Sequence, residues 1–140
     1  MKNINLFLDD IRIPGMAHNA VKGLGLDYLP TNKWVIARDY FEFVNIVDKH
    51  FDEIELVSFD HDLACVKDGI EYTGKTAVDY LINYCLEHSK QFPDWYAHTD
   101  NTSGRQNIIG AITNYLKVVE GKDLSDFRYY HNGIVNGKFV

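Results

Sequence analysis

Ile4-Asn5-Leu6-Phe7-Leu8-Asp9-Asp10 is the stretch on which the fold turns. A short, mostly apolar run stops at two aspartates. A run of this length, bounded by acids that favour turns, reads as a buried strand, Ile4 to Leu8. The same punctuation returns twice: Ile54 to Phe59 ends in Asp60-His61-Asp62, and Trp95-Tyr96-Ala97-His98 runs into Thr99-Asp100-Asn101. Trp34-Val35-Ile36-Ala37 supplies a further strand.

Helical patterns lie between the strands. Asp39 is placed to cap a helix from Tyr40 to about His50, with Phe43, Val44 and Val47 inward. A second helix starts at Thr73 or Gly74 and runs to about Ser89, its stripe made of Ala77, Val78, Leu81, Ile82 and Cys85. A third opens at Thr102 or Ser103 and turns Ile108, Ile109, Ile112, Tyr115 and Leu116 inward. Residues 14–33 carry the prolines and glycines of a long loop, with a helical turn near Met16–Val21. Loops of that length in compact domains are more often functional than idle. Asn132-Gly133 and Asn136-Gly137 are hairpin-turn signals, so a terminal hairpin is expected. Alternating strands and helices predict an α/β domain, residues 1–140, with a mostly parallel sheet covered on both faces.

The net charge of −6, from 14 basic and 20 acidic side chains, argues against a broad nucleic-acid surface, since such binding draws on neutralisation of phosphates by Lys and Arg. Cys65 and Cys85 form no CxxC pair and read as free thiols. No apolar run approaches the roughly 18 residues of a membrane span, and the first apolar run is too short for a signal-peptide core. A cytoplasmic location is expected, with no membrane partner.

In open parallel sheets ligands bind beyond the carboxyl ends of the strands. There the sequence places Asp9 and Asp10, then Asp60, His61 and Asp62, then His98 to Asn101, with Arg105 soon after. Each acidic pair by itself also reads as a turn. Converging, the acids would repel one another, and a hard divalent ion resolves that repulsion. Mg²⁺ (or Mn²⁺) held by Asp9, Asp10 and Asp60 is therefore expected. His61 and His98 are the side chains suited to general acid–base work near neutral pH. The polar run ahead of the third helix suits an anion at a helix N-terminus, with Arg105 adding a forked contact.

The segments Leu6-Phe7-Leu8-Asp9-Asp10-Ile11-Arg12-Ile13-Pro14, Ser58-Phe59-Asp60-His61-Asp62-Leu63, Tyr72-Thr73-Gly74 and His98-Thr99-Asp100-Asn101-Thr102-Ser103-Gly104-Arg105 resemble the cyclic-phosphate processing receiver domain, from Asn5 to about Leu116. The resemblance implies a flavodoxin-like, receiver-like three-layer fold with strand order 2-1-3-4-5. It implies processing or sensing of cyclic phosphates on nucleotides or RNA ends. It extends site roles to Arg12, Thr99, Asn101 and Gly104 as phosphate-binding residues, and to Asp62 beside the two histidines as a catalytic group. The chain departs from the family pattern at Lys75-Thr76, at Thr102 and in the long 15–33 loop. An ordinary phospho-receiver fits less well, because no Lys-Pro follows a fifth strand. A haloacid-dehalogenase-type phosphatase would need its Asp-x-Asp on the first strand, not the third. Two readings follow: a metal-dependent phosphodiesterase or phosphohydrolase that opens or hydrolyses a cyclic phosphate, or a non-catalytic module that captures a phosphorylated signalling nucleotide.

Overall fold

The computed structural model describes residues 2–14 and 33–121. Its main sheet has four parallel strands: β1 (Ile4–Leu8), β2 (Lys33–Ala37), β3 (Ile54–Phe59) and β6 (Asp94–Ala97), in the order β2-β1-β3-β6. Counted within this sheet, the order is 2-1-3-4, as a receiver-like layout requires. The expected fifth strand, the 15–32 part of the long loop and the terminal hairpin lie outside the described residues.

Strand registers put side chains into rows. Leu6 pairs with Val57, which pairs with Trp95; Leu8 pairs with Phe59, which pairs with Ala97. These rows form one face, since alternate residues of a strand share a side. Helices α1 (Tyr40–His50), α2 (Gly74–His88) and α3 (Thr102–Val119) pack against it. Phe43 and Val47 of α1, Leu81 and Cys85 of α2, and Ile108 and Ile112 of α3 close the core. The opposite face carries Asn5, Phe7, Leu56, Ser58 and Tyr96, all withdrawn from water, as strands of parallel sheets usually are on both sides. The second helical layer of the expected three falls outside the described residues.

Local chemistry sets the helix starts. The Asp39 carboxylate accepts from the Glu42 amide. Thr73 and Thr76 form a reciprocal capping box at α2, and Asn101 accepts from the Gly104 amide at α3. Such caps satisfy first-turn N–H groups that have no intrahelical acceptor.

One element was not anticipated. Between β3 and α2 the chain forms an antiparallel hairpin of β4 (Cys65–Lys67) and β5 (Ile70–Tyr72). Asp68 and Gly69 make its turn with φ of 54° and 76°. An Asp-Gly pair with both residues left-handed is the preferred two-residue hairpin turn. That dipeptide was the available signal. Tyr72 anchors the hairpin by stacking on Tyr40, with ring centroids 4.9 Å apart.

Candidate functional site

Three strand ends meet at one rim. His98 follows Ala97 and so falls on the Tyr96 side of the sheet. There its ring stacks on Phe7 at 4.4 Å with planes 6° apart. Its Nδ1 lies 2.7 Å from Ser58 Oγ and its Nε2 lies 3.0 Å from Asp9 Oδ2. One imidazole thus ties β1, β3 and the end of β6 together. Burial lowers its pKa, against the opposing pull of the Asp9 hydrogen bond and the charges of Asp60 and Asp9. The neutral ring fits both contacts: Nε2–H donates to the carboxylate and Nδ1 accepts from the Ser58 hydroxyl.

Asp9 is the hub. Its Oδ1 accepts from the Ile11 amide at 3.0 Å and the Arg12 amide at 2.8 Å. Its Oδ2 accepts from Arg12 Nε at 2.8 Å as well as from His98. Burial alone would raise its pKa, but these hydrogen bonds and the Arg12 charge hold it well below the ordinary aspartate range. The Arg12 guanidinium continues to Asp60 Oδ1 at 3.3 Å and stands 3.6 Å from Asp100 Oδ2. Arg38, at the end of β2, holds the same turn through the carbonyls of Asp9 and Arg12.

Asp60 is nearly buried, and its pKa is raised by burial first and then by the charge of Asp9. Its Oδ1 also accepts from the His61 amide, and Thr99 hydrogen-bonds its carboxyl. Asp62 is exposed and has its pKa lowered, chiefly by the hydrogen bond from His61, with Asn101 assisting. Asn101 works in two directions, its Oδ1 capping α3 and its Nδ2 holding Asp62.

These groups surround an open cleft of about 410 Å³ lined by Asp10, Arg12, Asp60, Asp62, Thr99 and Asn101, with Ile11 and Asp100. Six sequence-predicted residues therefore line one hollow. Asp9 and His98 do not line it; they form its buried support. His61 sits beside it, its ring close to Gly104, where an added Cβ would lie 2.4 Å from the imidazole. Arg105 does not line the cleft; its Nη1 donates to the Thr99 carbonyl at 2.9 Å. The sequence reading missed Arg38 and Ser58, and placed Asp100 at the strand end without giving it a role. Arg38 sits one residue past β2 and was within reach of the strand-end rule, whereas Ser58, inside a strand, carried no signal. A second hollow of about 460 Å³ adjoins the first at Asp10 and extends over Arg38, Phe41, Cys65, Val66 and Lys67.

Ligand atoms of Asp9, Asp60 and His98 lie within 4.8 Å of one another, a group that could hold a metal ion. Their donors are unevenly available. Asp9 already accepts from four N–H groups and His98 Nε2 carries a proton, and Asp60 Oδ1 accepts from Arg12 and the His61 amide, so an ion at the cleft wall would draw on Asp10 and on the acceptor positions Asp60 has left. Oxygen donors of this kind suit a hard divalent ion.

A parallel sheet with a polar cleft at its carboxyl edge, entered by acids from three strands, is the receiver type of α/β protein. Residues 4–114 match the family model described as the cyclic-phosphate processing receiver domain, and the chain belongs to that family. That span contains every site residue named above. No curated protein and no solved structure matches the chain. Among the described residues, no helix is long and apolar enough to cross a membrane.

Proposed function

We propose that the cleft binds the cyclic phosphate of a nucleotide or RNA terminus and processes it by opening or hydrolysis. The observation that carries this reading is the lining itself: the Arg12 guanidinium, the Thr99 hydroxyl and the Asn101 amide stand among four acids, Asp10, Asp60, Asp62 and Asp100. The first set can bind phosphate oxygens. The second disfavours a highly charged one. A cyclic phosphate is a diester with one negative charge, whereas an open monoester carries about −1.5 to −2 at pH 7. The cleft thus favours the ring over its opened product, a useful bias for release. The adjoining hollow beside Phe41 has room for the nucleoside.

Asp60, with its raised pKa, and His61, beside Asp62, are the cleft-side groups for proton transfer. His98 acts in this reading by fixing Asp9, since both its ring nitrogens are committed. Mg²⁺ or Mn²⁺ would be held by the carboxylates of Asp10 and Asp60, where it would offset negative charge and polarise a phosphoryl oxygen.

The test is calorimetry and product chromatography with 2′,3′-cyclic nucleotides and cyclic oligonucleotides, with and without Mg²⁺ or Mn²⁺. Binding of the cyclic form in preference to the 2′- or 3′-monophosphate is expected, weakened by Asn101→Ala. Equal or tighter binding of the monophosphates would remove the charge argument. The engagement of His98 and of His61 Nδ1 favours a second reading, capture without turnover. Tight binding with the ligand recovered intact would select it.

A further inference from the structure

The turn after β1 brings one side chain of fixed positive charge against three acids of the cluster. Arg12 Nε lies 2.8 Å from Asp9 Oδ2, Nη2 lies 3.3 Å from Asp60 Oδ1, and Nη1 lies 3.6 Å from Asp100 Oδ2. We infer that Arg12 is the resident cation of this cluster, and that a divalent ion enters the seat between Asp9 and Asp60 only in exchange for the guanidinium.

The acceptor count on Asp9 supports this. A carboxylate offers about four acceptor positions, and Asp9 fills them with the Ile11 and Arg12 amides, Arg12 Nε and His98 Nε2. An ion bound to Oδ2 would stand where Nε now stands. The guanidinium is also suited to the role by its chemistry. Its donors form a rigid planar fork, its charge is permanent, and it is more weakly hydrated than an ammonium. Its side chain is only 18% exposed, and the backbone that carries it is held by Arg38, which donates to the Arg12 carbonyl at 2.6 Å. One guanidinium offsets only part of the charge of Asp9, Asp60 and Asp100, yet it holds the position an external ion would take at this seat. Phosphate oxygens entering the cleft then meet the guanidinium edge. This inference goes beyond the proposed function and stands whatever the ligand is.

Mn²⁺ binding to the full-length chain, followed by electron paramagnetic resonance, tests it. Arg12→Gln is expected to bind Mn²⁺ at least about ten-fold more tightly than wild type, because a unit charge some 4 Å from the seat is removed. Adding Asp60→Asn to Arg12→Gln should abolish the gain and adding Asp10→Asn should leave it, which places the ion between Asp9 and Asp60; loss of the gain with Asp10→Asn would overturn that placement. Binding by Arg12→Gln no tighter than wild type would overturn the inference. Wild-type protein gives an answer even where the variant does not fold. With diamagnetic Mg²⁺ in place of Mn²⁺, the Arg12 Nε–H resonance should move to its solvent-exposed position in step with loading, and either loading at Asp60 with that resonance unmoved or a guanidinium already solvent-exposed without the ion would overturn the exchange.

Discussion

Gly74, the first residue of α2, sits where no side chain fits. A Cβ built there would lie 1.8 Å from the Asp60 carbonyl oxygen, 2.8 Å from its carbon and 2.9 Å from His61 Cα. All three obstacles are backbone, so no rotamer change relieves them. The Gly74 amide also donates to the His61 carbonyl at 2.8 Å, which fixes the close approach. Gly74→Ala must push the α2 N-terminus away from the end of β3. Overpacking of a tight site costs about 1–3 kcal/mol, and a backbone obstacle points to the upper end. Ala regains at most about 1 kcal/mol of helix propensity. A net loss of roughly 2 kcal/mol follows, a fall in Tm of about 6–8 °C for a chain of this size. Gly110→Ala is the control: the residue is exposed in α3 with nothing within 4 Å of the added carbon, so it should stabilise by about 0.5–1 kcal/mol. Thermal melts followed by circular dichroism compare the two. If Gly74→Ala behaves like Gly110→Ala, β3 and α2 do not approach as described, and the placement of Asp60 and His61 fails with them.

Other expectations follow from the site. The folded state holds His98 neutral, so its lowered pKa contributes stability that is full above the unfolded value of about 6.5 and is lost as pH falls toward the lowered folded value; the slope reaches at most about 1.4 kcal/mol per pH unit. In NMR titrations the His98 ring should show no midpoint at or above 6.5, and a midpoint there would refute it. Asp9→Ala leaves Arg12 and His98 without their shared acceptor and should cost about 3–5 kcal/mol in urea denaturation; a loss under 1 kcal/mol would show that the hub is dispensable. Asp60→Asn removes a carboxylate whose charge is disfavoured by burial and by Asp9. It should leave Tm unchanged or higher while weakening metal binding at the cleft in Mn²⁺ titrations, and a large drop in Tm would contradict this.

Much of the architecture was legible because burial leaves a mark on composition. Ile4–Leu8 and Ile54–Phe59 appear with the bounds the apolar runs gave, and Asp39 caps the helix it was assigned. Strand ends were legible for the same reason, so Asp10, Asp60, Asp62, Thr99 and Asn101 could be placed there from the apolar runs, whereas Arg12 was reached through the family resemblance. What the pattern hid was direction and division of labour. Nothing in the sequence distinguishes a histidine aimed at a cleft from one turned under it, and His98 proved to be turned under, stacked on Phe7. Nor does spacing say that Arg12 would reach across to Asp60 and Asp100. The β4–β5 hairpin was overlooked although Asp68-Gly69 announces it, because its strands are three residues long and mostly exposed.

The Ser58–His98–Asp9 chain has a bearing on how the protein acquires activity. Its members come from β3, β6 and β1, so the cleft floor cannot exist until the sheet's last described strand has docked beside β3. On the ribosome, nothing recognisable to a ligand forms before about Gly104 has emerged. A bound ligand would thus report docking of all four described strands, and chains that stop short of the last of them would stay silent.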